Sequence, residues 1–129
     1  MTTENTRAIL DRANAAFEEG RLDDFLALCT PDVVMSWPGT TEVWKGADAI
    51  RQNMAPMMAG GWTMKLNVVE KIVEDDRAMG HGSMESTGPD GTTQTMYFSD
   101  IYHFADGKIS EVISYMIMPG RNSMTDLNQ

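Results

Sequence analysis

Apolar positions recur every three or four residues in the first half of the chain and every two in the second. Ile9, Ala13, Ala16 and Phe17 form one stripe over residues 3–19, which predicts a helix capped by Thr2 or Thr3 and closed by Gly20. Leu22, Phe25, Leu26 and Cys29 repeat the helical spacing in a short second helix that ends before Pro31. DVVMSW at 32–37 reads as a strand ended by Pro38-Gly39, and 39–46 as a loop with one short extended piece. Ile50, Met54, Met57 and Met58 mark a third helix over 47–58, which Pro56 ends or bends. After Gly60-Gly61 the period becomes two, predicting strands at 62–74, 77–87, 92–104 and 108–118, then a polar tail over 119–129. Helices followed by a meander predict an α+β fold in a single domain spanning 1–129: three N-terminal helices packed on a curved antiparallel sheet as a cone.

The final hairpin holds a residue out of keeping with its setting. Alternation places Met96, Phe98, Asp100, Tyr102 and Phe104 on one face, with Tyr97, Ser99, Ile101 and His103 on the other. Asp100 thus shares a face with aromatic rings, where burial raises a carboxyl's pKa and makes it a candidate acid. In the last strand Val112, Ser114 and Met116 point the same way. Ile113, Tyr115 and Ile117 point outward with Ile101, too apolar a set for a solvated face. A homodimer through this outer sheet face is expected.

Charge and cysteine content narrow the partners. Ten Lys and Arg against nineteen Asp and Glu give a net charge of −9, which argues against nucleic acid and anionic membranes as partners. No apolar run reaches the length of a membrane span, and the opening MTTENTRAIL lacks a signal-peptide pattern. The single cysteine, Cys29, rules out an internal disulfide and suggests the cytoplasm; its place on the second helix makes it a buried thiol. His81 and His103 lack metal-ligand spacing, and no phosphate loop or nucleophile elbow occurs, so neither metal nor cofactor is expected. Twelve methionines fit a soft core or an adaptable apolar pocket equally well.

AAFEEGRLDDFLAL, PDVVMSWPG, WKGADAI and SDIYHFADGKISEVISY, in this order and spacing, cover nearly the whole chain. Together they resemble the nuclear transport factor 2-like (cystatin-like cone) superfamily, and the last of them the branch of SnoaL-like polyketide cyclases and Δ5-3-ketosteroid isomerases. The resemblance implies a small enzyme that needs no cofactor and acts on an apolar carbonyl compound by isomerisation, cyclisation or dehydration. Asp100 falls where the isomerases keep an aspartic acid that donates to the substrate oxyanion, a neutral carboxyl in that well-known case. The isomerases' first-helix tyrosine falls at Ala13 and their proton-shuttling carboxylate at Trp37, so their mechanism is not intact here. The cyclases' third-strand histidine falls in MESTG, near Ser86. The alternative is a non-catalytic cone that holds a hydrophobic small molecule.

The candidate site then comprises Asp100 as acid, Tyr102 as a second donor and His81 as base. The register sets His81 on the opposite face unless a β-bulge near Gly80-Gly82 turns it inward. Phe17, Trp37, Met54, Met58, Trp62, Met84, Phe98, Ser114 and Met116 are the expected ligand wall, with Trp44 folding over the mouth.

Overall fold

A computed structural model describes residues 1–120; the polar tail expected over 119–129 lies outside them from residue 121 onward. The elements are α1 (Thr3–Glu18), α2 (Leu22–Ala27), β1 (Cys29–Ser36), β2 (Val43–Lys45), α3 (Ala47–Ala59), β3 (Thr63–Val73), β4 (Arg77–Thr87), β5 (Thr93–Ala105) and β6 (Lys108–Ile117). The Thr2 hydroxyl accepts the Asn5 amide at 3.1 Å and so caps α1, burying Ile9, Leu10, Ala13 and Ala16 along the predicted stripe. Gly20, at φ +71°, ends the segment in the left-handed region that other side chains resist. Pro56 does not stop α3, which runs on to Ala59.

Two expectations need correction. Cys29 is not helical: α2 stops at Ala27, and Cys29 opens β1 as the partner of Ile109, whose amide donates to the Leu28 carbonyl at 2.9 Å. Pro31 then falls in an irregular stretch between Cys29 and Val34, where a missing N–H removes no ladder bond. The sheet, moreover, is mixed rather than antiparallel. Its order is β2-β1-β6-β5-β4-β3, and β1 runs parallel to β6. The intervening α3 and meander supply the long connection that parallel pairing requires.

The β5–β6 hairpin turns on Asp106 and Gly107, both at positive φ, which suits the right-handed twist of the strands. The helices cover the concave face, where Leu10, Val33, Ile50 and Ile109 are almost wholly buried. One irregularity bears on the site. Between β3 and β4 the register slips at Val69: Val68 pairs with Gly82, yet Glu70 already pairs with His81. The parity of β3 is thereby reversed. Met64, Leu66 and Val68 are half-buried before the bulge, and Lys71 and Val73 after it.

Candidate functional site

Alternation places Asp100 as the sequence suggested. It pairs with Gly80 on β4 and Ser114 on β6, so three cross-strand neighbours form one row on the concave face. Tyr102, Phe104, Ala78, Met84, Val112 and Ser114 are buried on the same face. The Tyr102 hydroxyl donates to Asp100 Oδ2 at a long 3.4 Å, while Asp100 Oδ1 is buried and has no hydrogen-bond partner among the described residues. A buried acceptor left in this condition is costly and needs an explanation.

The electrostatics follow from that burial. Loss of water pushes Asp100 up to about 6, opposed by hydrogen bonds from the Ser114 and Tyr102 hydroxyls. The phenol of Tyr102 is held well above its ordinary range, first by burial and then by the neighbouring carboxylate. Burial likewise pushes the Cys29 thiol up to about 12, and its Sγ lies 3.4 Å from the Phe25 carbonyl oxygen. Asp100 is therefore a carboxyl that can hold or release a proton near neutrality, with two hydroxyls to steady the charged form.

The remaining expected residues divide into three groups. Met54 and Met84 are buried in the interior, with Phe17, Met58 and Phe98 half-buried. Trp37 lies just past Ser36, which pairs with Ile113, and its ring meets Trp44 edge-on at 4.4 Å. Trp44 therefore packs on Trp37, with its indole N–H donating to Glu42 at 2.8 Å. Met116 is 39% exposed, and Trp62, 48% exposed, stands against Gly60 and Gly88 at the start of β3. His81 is not brought to the carboxylate. It alternates onto the outer face, half-exposed, 3.5 Å from Glu70. The bulge that would have turned it inward lies instead on the partner strand, at Val69, and leaves β4 regular.

Two surface clefts flank this arrangement. One, of about 540 Å³, joins Met1 and Thr3 to the acidic β3–β4 turn at Glu74, Asp75 and Asp76. The other, of about 320 Å³, runs between α1 and β3 and is lined by Asp11, Asn14, Glu18, Leu66, Val68 and Lys71. Asp100 lines neither. Among the described residues no cluster of three His, Cys, Asp or Glu is placed to hold a metal ion, and no helix is long and apolar enough to cross a membrane.

The sequence model of the SnoaL-like domain matches residues 10–112. This chain belongs to the SnoaL-like family. No curated protein matches it. Solved structures similar to this SnoaL-like domain include a candidate ketosteroid isomerase from Kribbella flavida, at 21% identity and TM-score 0.74, covering 95% of this chain and 86% of the other. A candidate polyketide cyclase from Xanthomonas campestris is 18% identical at TM-score 0.77, with 88% and 90% covered. An LEH-like epoxide hydrolase from M. tuberculosis is 15% identical at the same TM-score, with 90% and 84% covered. Identities this low establish the fold shared by proteins of differing chemistry, so activity must be argued from the site.

Sequence reading missed one residue. Lys71 lies on the concave side, paired with Gly80 in the row of Asp100, and its ammonium meets Asp11 of α1 at 2.5 Å. The doubled Val68-Val69 facing Gly82, which breaks the period of two, was the signal for it.

Proposed function

We propose that this SnoaL-like domain is a cofactor-independent enzyme acting on an apolar, carbonyl-bearing small molecule, with Asp100 as the acid that hydrogen-bonds or protonates the carbonyl oxygen. The observation that carries this reading is the buried Asp100 carboxyl, whose Oδ1 has no partner among the described residues while Oδ2 accepts from the Tyr102 hydroxyl. In its protonated form such a carboxyl is a preorganised donor in a dry wall and stabilises an enol-like oxyanion, the shared need of isomerisation, aldol-type cyclisation and dehydration. Tyr102 supports Asp100 and is a second donor to the same oxygen. The lone buried thiol of Cys29 suits a reducing cytoplasm.

Turnover of a panel of Δ5-3-ketosteroids, aromatic polyketides and terpenoid ketones tests this. Asp100→Asn is expected to lower turnover at least a hundredfold while ligand affinity changes little. Turnover that survives the substitution removes Asp100 from the role. A second reading, a non-catalytic binder of hydrophobic ligands, is favoured by Trp37 and Ala13 standing where the family's isomerases keep catalytic groups. Under it no panel member turns over, but some raise the melting temperature.

The outer face is proposed as the contact with a second copy of the chain. Ile72, Met79, Ile101 and Ile113 form one row across β3, β4, β5 and β6, with Ile72 58% exposed, and Tyr97, Tyr115 and Ile117 are exposed beside it. Arg77, His103 and Glu111 make the adjoining row, so a two-fold axis could set Arg77 of one copy against Glu111 of the other.

A further inference from the structure

The bulge at Val69 has a specific result. Before it, the even-numbered residues of β3 face the helices; after it, the odd-numbered ones do, so Lys71 faces inward and Glu70 outward toward His81. Gly82 permits this. A Cβ there would lie 1.9 Å from the Asn67 carbonyl oxygen and 3.1 Å from Val68 Cα, so the backbone of β3 occupies the space a side chain would need. Bulges re-aim side chains beside functional sites, and this one re-aims a lysine.

Lys71, Gly80, Asp100 and Ser114 then stand in one continuous cross-strand row. Gly80 presents no side chain, and the Lys71 stem lies over it, with Cγ 3.8 Å from where a Cβ would be. Lys71 and Asp100 are two strand spacings apart, about 9.5 Å between backbones. The ammonium itself is turned to Asp11 of α1, so the row leaves the length of a ligand's apolar body between the two charged groups. The present partner of Lys71, Asp11, is half-exposed on α1, at the mouth of the 320 Å³ cleft. Exchange of an exposed ion pair for another anion costs little.

We propose that Lys71 is a specificity-determining residue of this site, and that it selects ligands bearing an anionic oxygen, carboxylate or phenolate, at the opposite end of an apolar body from the oxygen bound at Asp100. The ligand enters through the α1–β3 cleft, and its anion replaces Asp11 on the Lys71 ammonium. Its apolar body lies over Gly80 and its second oxygen meets Asp100. This rests on the proposal that Asp100 binds ligand oxygen.

Fluorescence titration with two naphthalene probes tests it: 6-hydroxy-2-naphthoate carries an anion opposite its hydroxyl, and 2-naphthol carries none. The unaltered protein should bind the naphthoate about tenfold more tightly than the naphthol. Lys71→Met should bring the ratio to one or below by weakening only the naphthoate, and Lys71→Arg should restore it. Asp11→Asn, which frees the ammonium and leaves Lys71 in place, should raise the ratio further. A ratio near one in the unaltered protein, or one that Lys71→Met leaves unchanged, overturns the proposal. If 2-naphthol binds and Asp100→Ala, which removes the hydrogen-bonding group that Asp100→Asn keeps, weakens it while Lys71→Met is silent, Lys71 alone is refuted and the Asp100 reading stands. If neither probe binds, both fall together.

Discussion

On the concave side of β5, Asp100 is a polar group taken out of water, with one oxygen left without a partner among the described residues. On the convex side of the same strand, Ile101 belongs to an apolar row from Ile72 to Ile113 in which Ile72 and Met79 are exposed and Ile101 and Ile113 half-buried. Each is a mismatch between a group and its surroundings, and each is unfavourable for an isolated chain. The two mismatches differ in form. The concave one is a point, flanked by Gly80 and Ser114, and suits a single small functional group. The convex one is a strip four strands wide and suits a flat, extended partner. On the two proposals made above, one sheet separates chemistry from assembly by alternation alone.

The largest test falls on the convex side. Tyr115 is about half-exposed between Ile113 and Ile117, so Tyr115→Asp should cost the single chain little. Two-fold symmetry places the new charge in the interface twice. Sedimentation velocity should show self-association weakened about a thousandfold, about 4 kcal/mol. If the unaltered protein sediments as a monomer at high concentration, the strip is not a self-interface.

A smaller effect belongs to the concave side. The Asp100 carboxyl is raised from 3.8 to about 6, so the folded state binds its proton more tightly than the unfolded state does. Its unfavourable contribution is absent below about pH 4, grows as pH rises from 4 to 6, and is fully present above that, at about 3 kcal/mol. Asp100→Asn should therefore be the more stable protein at pH 7, with the gap closing toward pH 4. Denaturant unfolding of both proteins across that range reads the difference directly. A gap independent of pH would mean that the carboxyl is solvated in the folded protein.

How much of this was legible in the sequence depends on the range of the interaction concerned. Asp100 could be placed because a strict period of two carries from Met96 to Phe104 without interruption. The helix over 3–19 was legible from its stripe and caps, which are local. The parallel pairing of β1 with β6 was not, because nothing within 29–36 records which distant edge it will meet. Cys29 was misplaced for a related reason: its helical spacing from Phe25 and Leu26 is real, but pairing with Ile109 draws it into the sheet. Lys71 was hidden because an inserted residue reverses the very periodicity used to read faces. The clue to that insertion lies on the opposite strand, in a glycine whose missing side chain makes room for it.

The smallest expected effect is the sharpest check on the division between faces. His81 is a strand histidine set between the inward-facing Gly80 and Gly82, and by residue type alone it is the natural base for Asp100. Its side chain is nevertheless 46% exposed on the convex face, near Glu70, an ion pair only when the imidazole is protonated. An exposed contact of that kind contributes little, so His81→Ala should change stability by no more than about 0.5 kcal/mol. Turnover of any panel substrate, and binding of either naphthalene probe, should be unaltered. A large loss of turnover without loss of assembly would require His81 to reach the concave side, which a regular β4 does not allow. A loss of both together would instead point to the convex strip, since His81 shares its cross-strand row with Tyr115 through Ser99.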